Sequence, residues 1–331
     1  MAKYDKKLIA EYLKKYRKLP SLTIAKLMYK RYPDMFPNIK SARDAIIYYR
    51  GEKSPKFEKY ALKEKGIKRT KEERIYARQM PVAFKEIDVF EIQEFPKGAG
   101  KYLVLADLHI PFHDEDAITQ AIKDAKKSNC DGLLLLGDIV DFYAISDFTH
   151  DPRYRRISEE IDITKAMIEY LKQELNPKQI IWKLGNHEDR LYRYMCIKAP
   201  ELLGIENLEF ENLFETNKYK IYVVKDYNIL RYKDLLFLHG HEYKSTYEPV
   251  NPARGAFLRA KENVVIGHQH RTSEHTEKTA SGKTISTWSV GCMCNLHPKF
   301  RPLNNWNLGY GIFSIAKNGS WKFYNIHLWI K

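Results

Sequence analysis

The chain has 331 residues, 44% of them apolar and 30% charged, a globular composition that argues against wholesale disorder and leaves room for two domains. Its net charge is +14, and the whole surplus lies at one end: residues 1–80 hold 23 basic against 9 acidic side chains, whereas the rest of the chain holds 33 of each. No apolar run approaches the ~20 residues that span a bilayer, no signal-peptide pattern opens the chain, and the four scattered cysteines make no disulfide framework, so a reducing, cytoplasmic setting without membrane attachment is expected.

Residues 1–51 predict a small helical domain. Leu8, Ile9, Tyr12, Leu13 and Tyr16 recur at helical spacing, and Leu19-Pro20 ends that pattern. Ser21 is placed to cap a second helix carrying Ile24, Leu27 and Met28, which stops at Pro33. Ser41 and Asp44 have the spacing of a capping box that opens a third helix with Ala45, Ile46 and Tyr49 inside. Three short helices with a basic last one have the pattern of a helix-turn-helix module. Residues 52–98 predict a basic linker, partly helical around Lys71 to Gln79, followed by an alternating stretch from Pro81 to Phe95 suited to an edge strand.

From residue 99 to 331 the pattern becomes that of an α/β domain. Strands are predicted at Tyr102 to Ala106, Leu133 to Leu136 and Gln179 to Leu184, with helices at about Glu115 to Lys127 and Ser158 to Leu175. Later strands, near Leu235 to Leu238, Val264 to Ile266, Thr284 to Val290, Gly311 to Ile315 and Trp321 to His327, follow one another more directly, which implies a mixed sheet.

Five polar motifs each follow a predicted strand: Asp107-Leu108-His109, Gly137-Asp138-Ile139-Val140-Asp141, Gly185-Asn186-His187-Glu188-Asp189, His239-Gly240-His241 and Gly267-His268-Gln269-His270. Ligand sites of open α/β sheets gather at the carboxyl ends of strands, so the five would converge on one cleft. Their oxygen and imidazole donors suit divalent manganese, iron, nickel or zinc rather than a thiolate site. A pair of such ions needs a bridging carboxylate and several further ligands on each, which these motifs can supply.

In this order, the motifs resemble the calcineurin-like metallophosphoesterase superfamily over residues of about 100 to 275. The resemblance implies an α/β sandwich of two mixed β-sheets flanked by helices, here behind a small N-terminal α-helical domain. It implies a dinuclear centre, with manganese the first expectation, in which Asp107, His109 and His270 hold one ion, Asn186, His239 and His268 hold the other, and Asp138 bridges them. It further implies that His187 donates a proton to the leaving oxygen, while Asp141 and Glu188 are expected to orient a histidine. From the residues alone either His239 or His241, and either His109 or His113, could be the ligand; the family pattern selects His239 and His109. His275 and His297 carry no motif, and Cys292 and Cys294 read as buried small hydrophobes. Serine/threonine protein phosphatases of this superfamily carry a phosphoryl-gripping arginine after the second aspartate of the second motif; Phe142 stands there instead, which argues against that branch.

The fold does not choose the phosphate ester. The basic N-terminus points to nucleic acid, with Lys40, Arg43 and Arg50 on or beside the third helix and Lys53 and Lys56 in the linker as expected contacts. The resulting expectation is a phosphodiesterase or nuclease brought to DNA by its N-terminal domain. The alternative is a phosphatase of small phosphate esters whose N-terminal domain localises or oligomerises the enzyme.

Overall fold

The computed structural model describes residues 4–16, 19–50, 91–146, 156–225, 227–243 and 249–329. The chain divides into two compact units, Met1–Phe84 and Lys85–Lys331. No helix among the described residues is long and apolar enough to cross a membrane.

In the first unit, α1 (Lys6–Lys15), α2 (Ser21–Arg31) and α3 (Ile39–Arg50) enclose their own core of Ile9, Ile24, Met28, Phe36 and Ile46. Asp5 caps α1 by accepting the amides of Lys7 and Leu8. Two expected caps are replaced. Pro20 occupies the cap of α2 without a side-chain bond, and the Ser21 hydroxyl accepts instead from Arg50 at 2.9 Å. Asn38 caps α3 through the Ser41 amide at 2.8 Å, so the Ser41–Asp44 box is not the start of that helix. The reason is local: Asn38 stands three residues before the amide it accepts, and an Asn side chain satisfies an orphan N–H as well as Ser does. Lys53, Lys56 and the helix expected around Lys71 to Gln79 lie outside the described residues.

The second unit is built on two six-stranded mixed sheets. Its strands are β1 (Ile92–Glu94), β2 (Lys101–Leu105), β3 (Gly132–Leu136), β4 (Gln179–Lys183), β5 (Ile221–Val224), β6 (Ile229–Tyr232), β7 (Leu235–Phe237), β8 (Asn263–Ile266), β9 (Ser273–Lys278), β10 (Thr284–Ser289), β11 (Gly309–Ile315) and β12 (Trp321–His327). One sheet has the order β12-β11-β2-β3-β4-β5, with β2 to β5 parallel, and the other has the order β1-β6-β7-β8-β10-β9. β1, paired with β6, covers Ile92–Glu94 of the stretch from Pro81 to Phe95 expected to form an edge strand, and residues 81–90 of that stretch lie outside the described residues.

Alternation places the layers. Tyr102, Val104, Leu134, Leu136 and Ile181 face Leu230, Phe237, Val265 and Val290 of the other sheet. Leu103, Leu105, Leu133, Leu135 and Trp182 face outward to α4 (Glu115–Lys127) and α5 (Ile157–Leu175). Burial on both faces is why the parallel strands read as unbroken apolar runs. The outer face of the second sheet, through Leu236, Val264 and Ile266, packs near Ala256 on the helix Pro252–Ala260. This is the α/β sandwich with flanking helices that the motifs imply.

Candidate metal centre

All five motifs lie at the carboxyl ends of strands, as the topology requires for convergence. Asp107 and His109 follow β2, Asp138 and Asp141 follow β3, Asn186 and His187 follow β4, His239 follows β7, and His268 and His270 follow β8. The turns are tight enough to force Asp107, His109, Asp138, His268 and His270 into the left-handed region, at φ of 55°, 46°, 52°, 65° and 53°. Each such non-glycine residue costs on the order of 1–3 kcal/mol, and strain of this kind collects where it serves a site. Gly185 allows a close approach that no other residue would, because a Cβ there would collide with Asp138.

The cluster is buried and dense. His109 and His270 bring their Nε2 atoms to 3.0 Å, His270 Nε2 lies 3.3 Å from Asp107 Oδ1, and His239 Nε2 lies 3.0 Å from Asp138 Oδ2. Donors ~2.1 Å from a common ion are separated by roughly 3.0–3.4 Å, so these spacings fit shared cations. Three groups of convergent donors form: His109, His270 and Cys294; His109, Asp138 and His187; and Asp138, His239 and His268. Asp138 belongs to two of them.

One polar atom of this arrangement stays unsatisfied, and its charges act strongly on one another. The Nδ1–H of His239 donates to the Leu136 carbonyl at 2.8 Å, which turns its Nε2 to Asp138, while the Asn186 Oδ1 is buried without a hydrogen-bond partner. Burial favours the neutral forms throughout. Against it, Asp138 and Asp107 push His239 up to about 10, and Asp107 does the same for His270. The Asp138 carboxyl resists burial and is held well below the usual range by His187 and His239. His268, by contrast, is pulled down to about 4 by burial and the neighbouring His239. The carboxylates call for positive charge at the cluster's centre, and the donor set fits divalent ions.

The expected site residues separate into those that line the cluster and those that support it. One Asp141 oxygen is 2.8 Å from His109 Nδ1 and 2.9 Å from His187 Nδ1, so Asp141 touches two histidines. Glu188 orients no histidine. Its carboxylate accepts the backbone amides of Asp138, Ile139 and Gly185 at 3.0, 2.7 and 2.7 Å and locks the second motif to the third. His113 and His241 belong to none of the donor groups; His241 Nδ1 lies 3.6 Å from Glu242 instead. Glu242 pairs with the fully buried Lys183 at 2.9 Å and accepts the His239 and Gly240 amides. Lys40 and Arg43 are exposed on α3, but Arg50 is bonded internally to Ser21 and the Leu19 carbonyl, which corrects its expected place on a binding face.

Two residues outside the expected site join it, one read from the sequence only as core and one not singled out. Cys294 is buried, as a small hydrophobe would be, yet its Sγ lies 4.0 Å from His270 Nδ1. The hint was its place just past a strand end, like the motifs. Arg190, the first residue of the helix Arg190–Lys198, donates to the Asp141 carbonyl at 2.8 Å and to His187 Nε2 at 3.0 Å. Its signal was a spacing of three from His187.

Residues 100–296 match the calcineurin-like phosphoesterase family. The Gene 54 protein of Mycobacterium phage L5 is 23% identical over 228 residues, covering 65% of this chain and 89% of its own. Among solved structures, a dimetal phosphatase from Danio rerio is 10% identical with a TM-score of 0.34, covering 67% of this chain and 94% of its own. The phosphoesterase Yfce from E. coli is 16% identical with a TM-score of 0.30, covering 67% and 96%. With the family matched across more than half its length and the metal-binding cluster assembled from those residues, the chain belongs to the calcineurin-like phosphoesterases.

Proposed function

We propose that this phosphoesterase is a two-metal phosphodiesterase acting on nucleic acid, DNA in the first place, to which its basic N-terminal unit brings it. The observation that carries the substrate class is the segregation of charge: the entire +14 surplus lies in residues 1–80 and the catalytic remainder is neutral. Lys40, Arg43 and Tyr48 are exposed on α3, where phosphate contact and base stacking are open to them.

At the cluster, Asp107, His109 and His270 would hold one ion, Asn186, His239 and His268 the second, with Asp138 between. Such ions, when bound, would supply Lewis acidity, neutralisation of phosphate charge and a nucleophile at neutral pH. Asp141 fixes the rings of His109 and His187. His187 stands at the open side of the cluster, 3.7 Å from Asp138, and hands a proton to the leaving oxygen.

The test is hydrolysis of single- and double-stranded DNA and RNA, a nitrophenyl diester and a nitrophenyl monoester by manganese-loaded protein. Binding of labelled DNA by the full chain in chelator should weaken with salt, at a log–log slope of about −0.9 per duplex phosphate neutralised. Cleavage of the monoester alone, with no DNA binding at low salt, would replace this reading with that of a small-ester phosphatase.

A further inference from the structure

Arg190 supplies positive charge at the cluster where the sequence motifs place none. Its side chain is 14% exposed, beside an equally exposed His187. Nη1 donates to the Asp141 carbonyl at 2.8 Å and lies 3.8 Å from the Asp141 carboxylate, while Nη2 donates to His187 Nε2 at 3.0 Å. That His187 nitrogen is itself 3.7 Å from Asp138, so the guanidinium sits one ring away from the shared carboxylate of the donor groups. The position after Asp141 offers no charge, because Phe142 is fully buried in the core. The buried Lys183 is engaged by Glu242 and by the Leu184 carbonyl. A guanidinium has five N–H donors in a planar fork matched to phosphate, and the contacts above engage two.

Resting on the phosphoester reading of the cluster, we infer that Arg190 is a catalytic residue that binds a non-bridging oxygen of the scissile phosphate. The Asp141 carbonyl anchors one arm of the fork. The other arm exchanges His187 Nε2 for the phosphate oxygen. That exchange delivers a charge-assisted hydrogen bond to the substrate and frees His187 Nε2, only when substrate is present, to take a proton from solvent and pass it to the leaving oxygen. The guanidinium thus grips the phosphate and, by the same movement, releases the histidine.

The probe is inorganic phosphate, titrated calorimetrically into manganese-loaded wild-type, Arg190→Gln and Arg190→Lys proteins, beside steady-state kinetics on nitrophenyl esters and metal analysis. Arg190→Gln should weaken phosphate binding about 10–100-fold, the range for losing a hydrogen bond to a charged group, and raise KM in step. Arg190→Lys should recover part of both, and metal content should stay at the wild-type level. Equal phosphate affinity in wild type and Arg190→Gln, with the loss confined to kcat, would overturn the inference and make Arg190 a positioning residue for His187. Loss of metal in both variants would overturn it in favour of a structural role. Wild-type protein that neither binds phosphate nor turns over any ester would reject the phosphoester reading itself, and Arg190's role with it.

Discussion

His109 and His187 share one oxygen of Asp141, at 2.8 and 2.9 Å from their Nδ1 atoms, and their rings pack edge to face at 4.4 Å. A carboxylate only accepts, so both rings carry the proton on Nδ1 and present Nε2 to the cluster. Asp141→Asn keeps the shape and removes the charge. Metal affinity should fall about 10–100-fold, as it does when the partner of a metal-bound histidine is lost. Competition with a chromophoric chelator measures this, and undiminished affinity would confine Asp141 to the service of His187.

Asp138 is the carboxylate common to two donor groups. Metal analysis of manganese-loaded wild-type protein should return about two ions per chain. Asp138→Asn should lower occupancy at both positions together rather than at one. A single ion in the wild type, or loss of only one in the variant, would remove Asp138 from the bridging role.

His187→Ala should cut turnover about 10²–10⁴-fold, the usual contribution of a general acid, while metal content stays near normal. The deficit should shrink for nitrophenolate esters, whose leaving group departs without a proton. A collapse of metal content would instead make His187 a ligand, as its membership of one donor group allows.

Glu160 is fully buried beneath the turn that follows Asp141, accepting the Tyr143 and Ala144 amides at 2.9 and 3.1 Å. Burial pushes its carboxyl up to about 7, helped by Asp141 and opposed by those amides and Arg190. The folded chain therefore holds a proton there that the unfolded chain, titrating near 4.5, has already lost. The stability it contributes is complete below pH 4.5 and disappears as the pH rises through 7. Glu160→Gln removes this dependence. Between pH 4.5 and 8 the wild type should lose up to about 3 kcal/mol relative to the variant, measured by urea denaturation of metal-free protein. A constant difference across that range would show that Glu160 does not titrate within it.

What was legible in the sequence was what repetition and chemistry mark together. Unbroken apolar strands ending in Asp, His or Asn located both sheets and the site, because two-sided burial and strand-end convergence leave those patterns behind. β9 was invisible, since Ser273–Lys278 is a mostly exposed edge strand without apolar alternation. The helix beginning at Arg190 is only nine residues long and buries only Met195, with Leu191 half-buried against the core, too short a run for its period to stand out. Arg50 looked like a surface contact because charge alone does not reveal that a guanidinium closes one helix onto the start of another. Cys294 was placed correctly as buried, but a sequence does not say that burial is against His270.

The cleft is stitched from both halves of the sandwich. Asp107, Asp138, Asn186 and His187 descend from one sheet, and His239, His268, His270 and Cys294 from the other. Direct bonds already cross that seam, from His239 Nδ1 to the Leu136 carbonyl and from the His268 amide to the Asp107 carboxylate. A cation held by donors from both sides is therefore also a clasp between the sheets, and its binding free energy counts toward keeping them closed. Chelation would loosen the sandwich from its motif-bearing rim, with the amides around Leu136 and Ile266 the first to exchange with solvent.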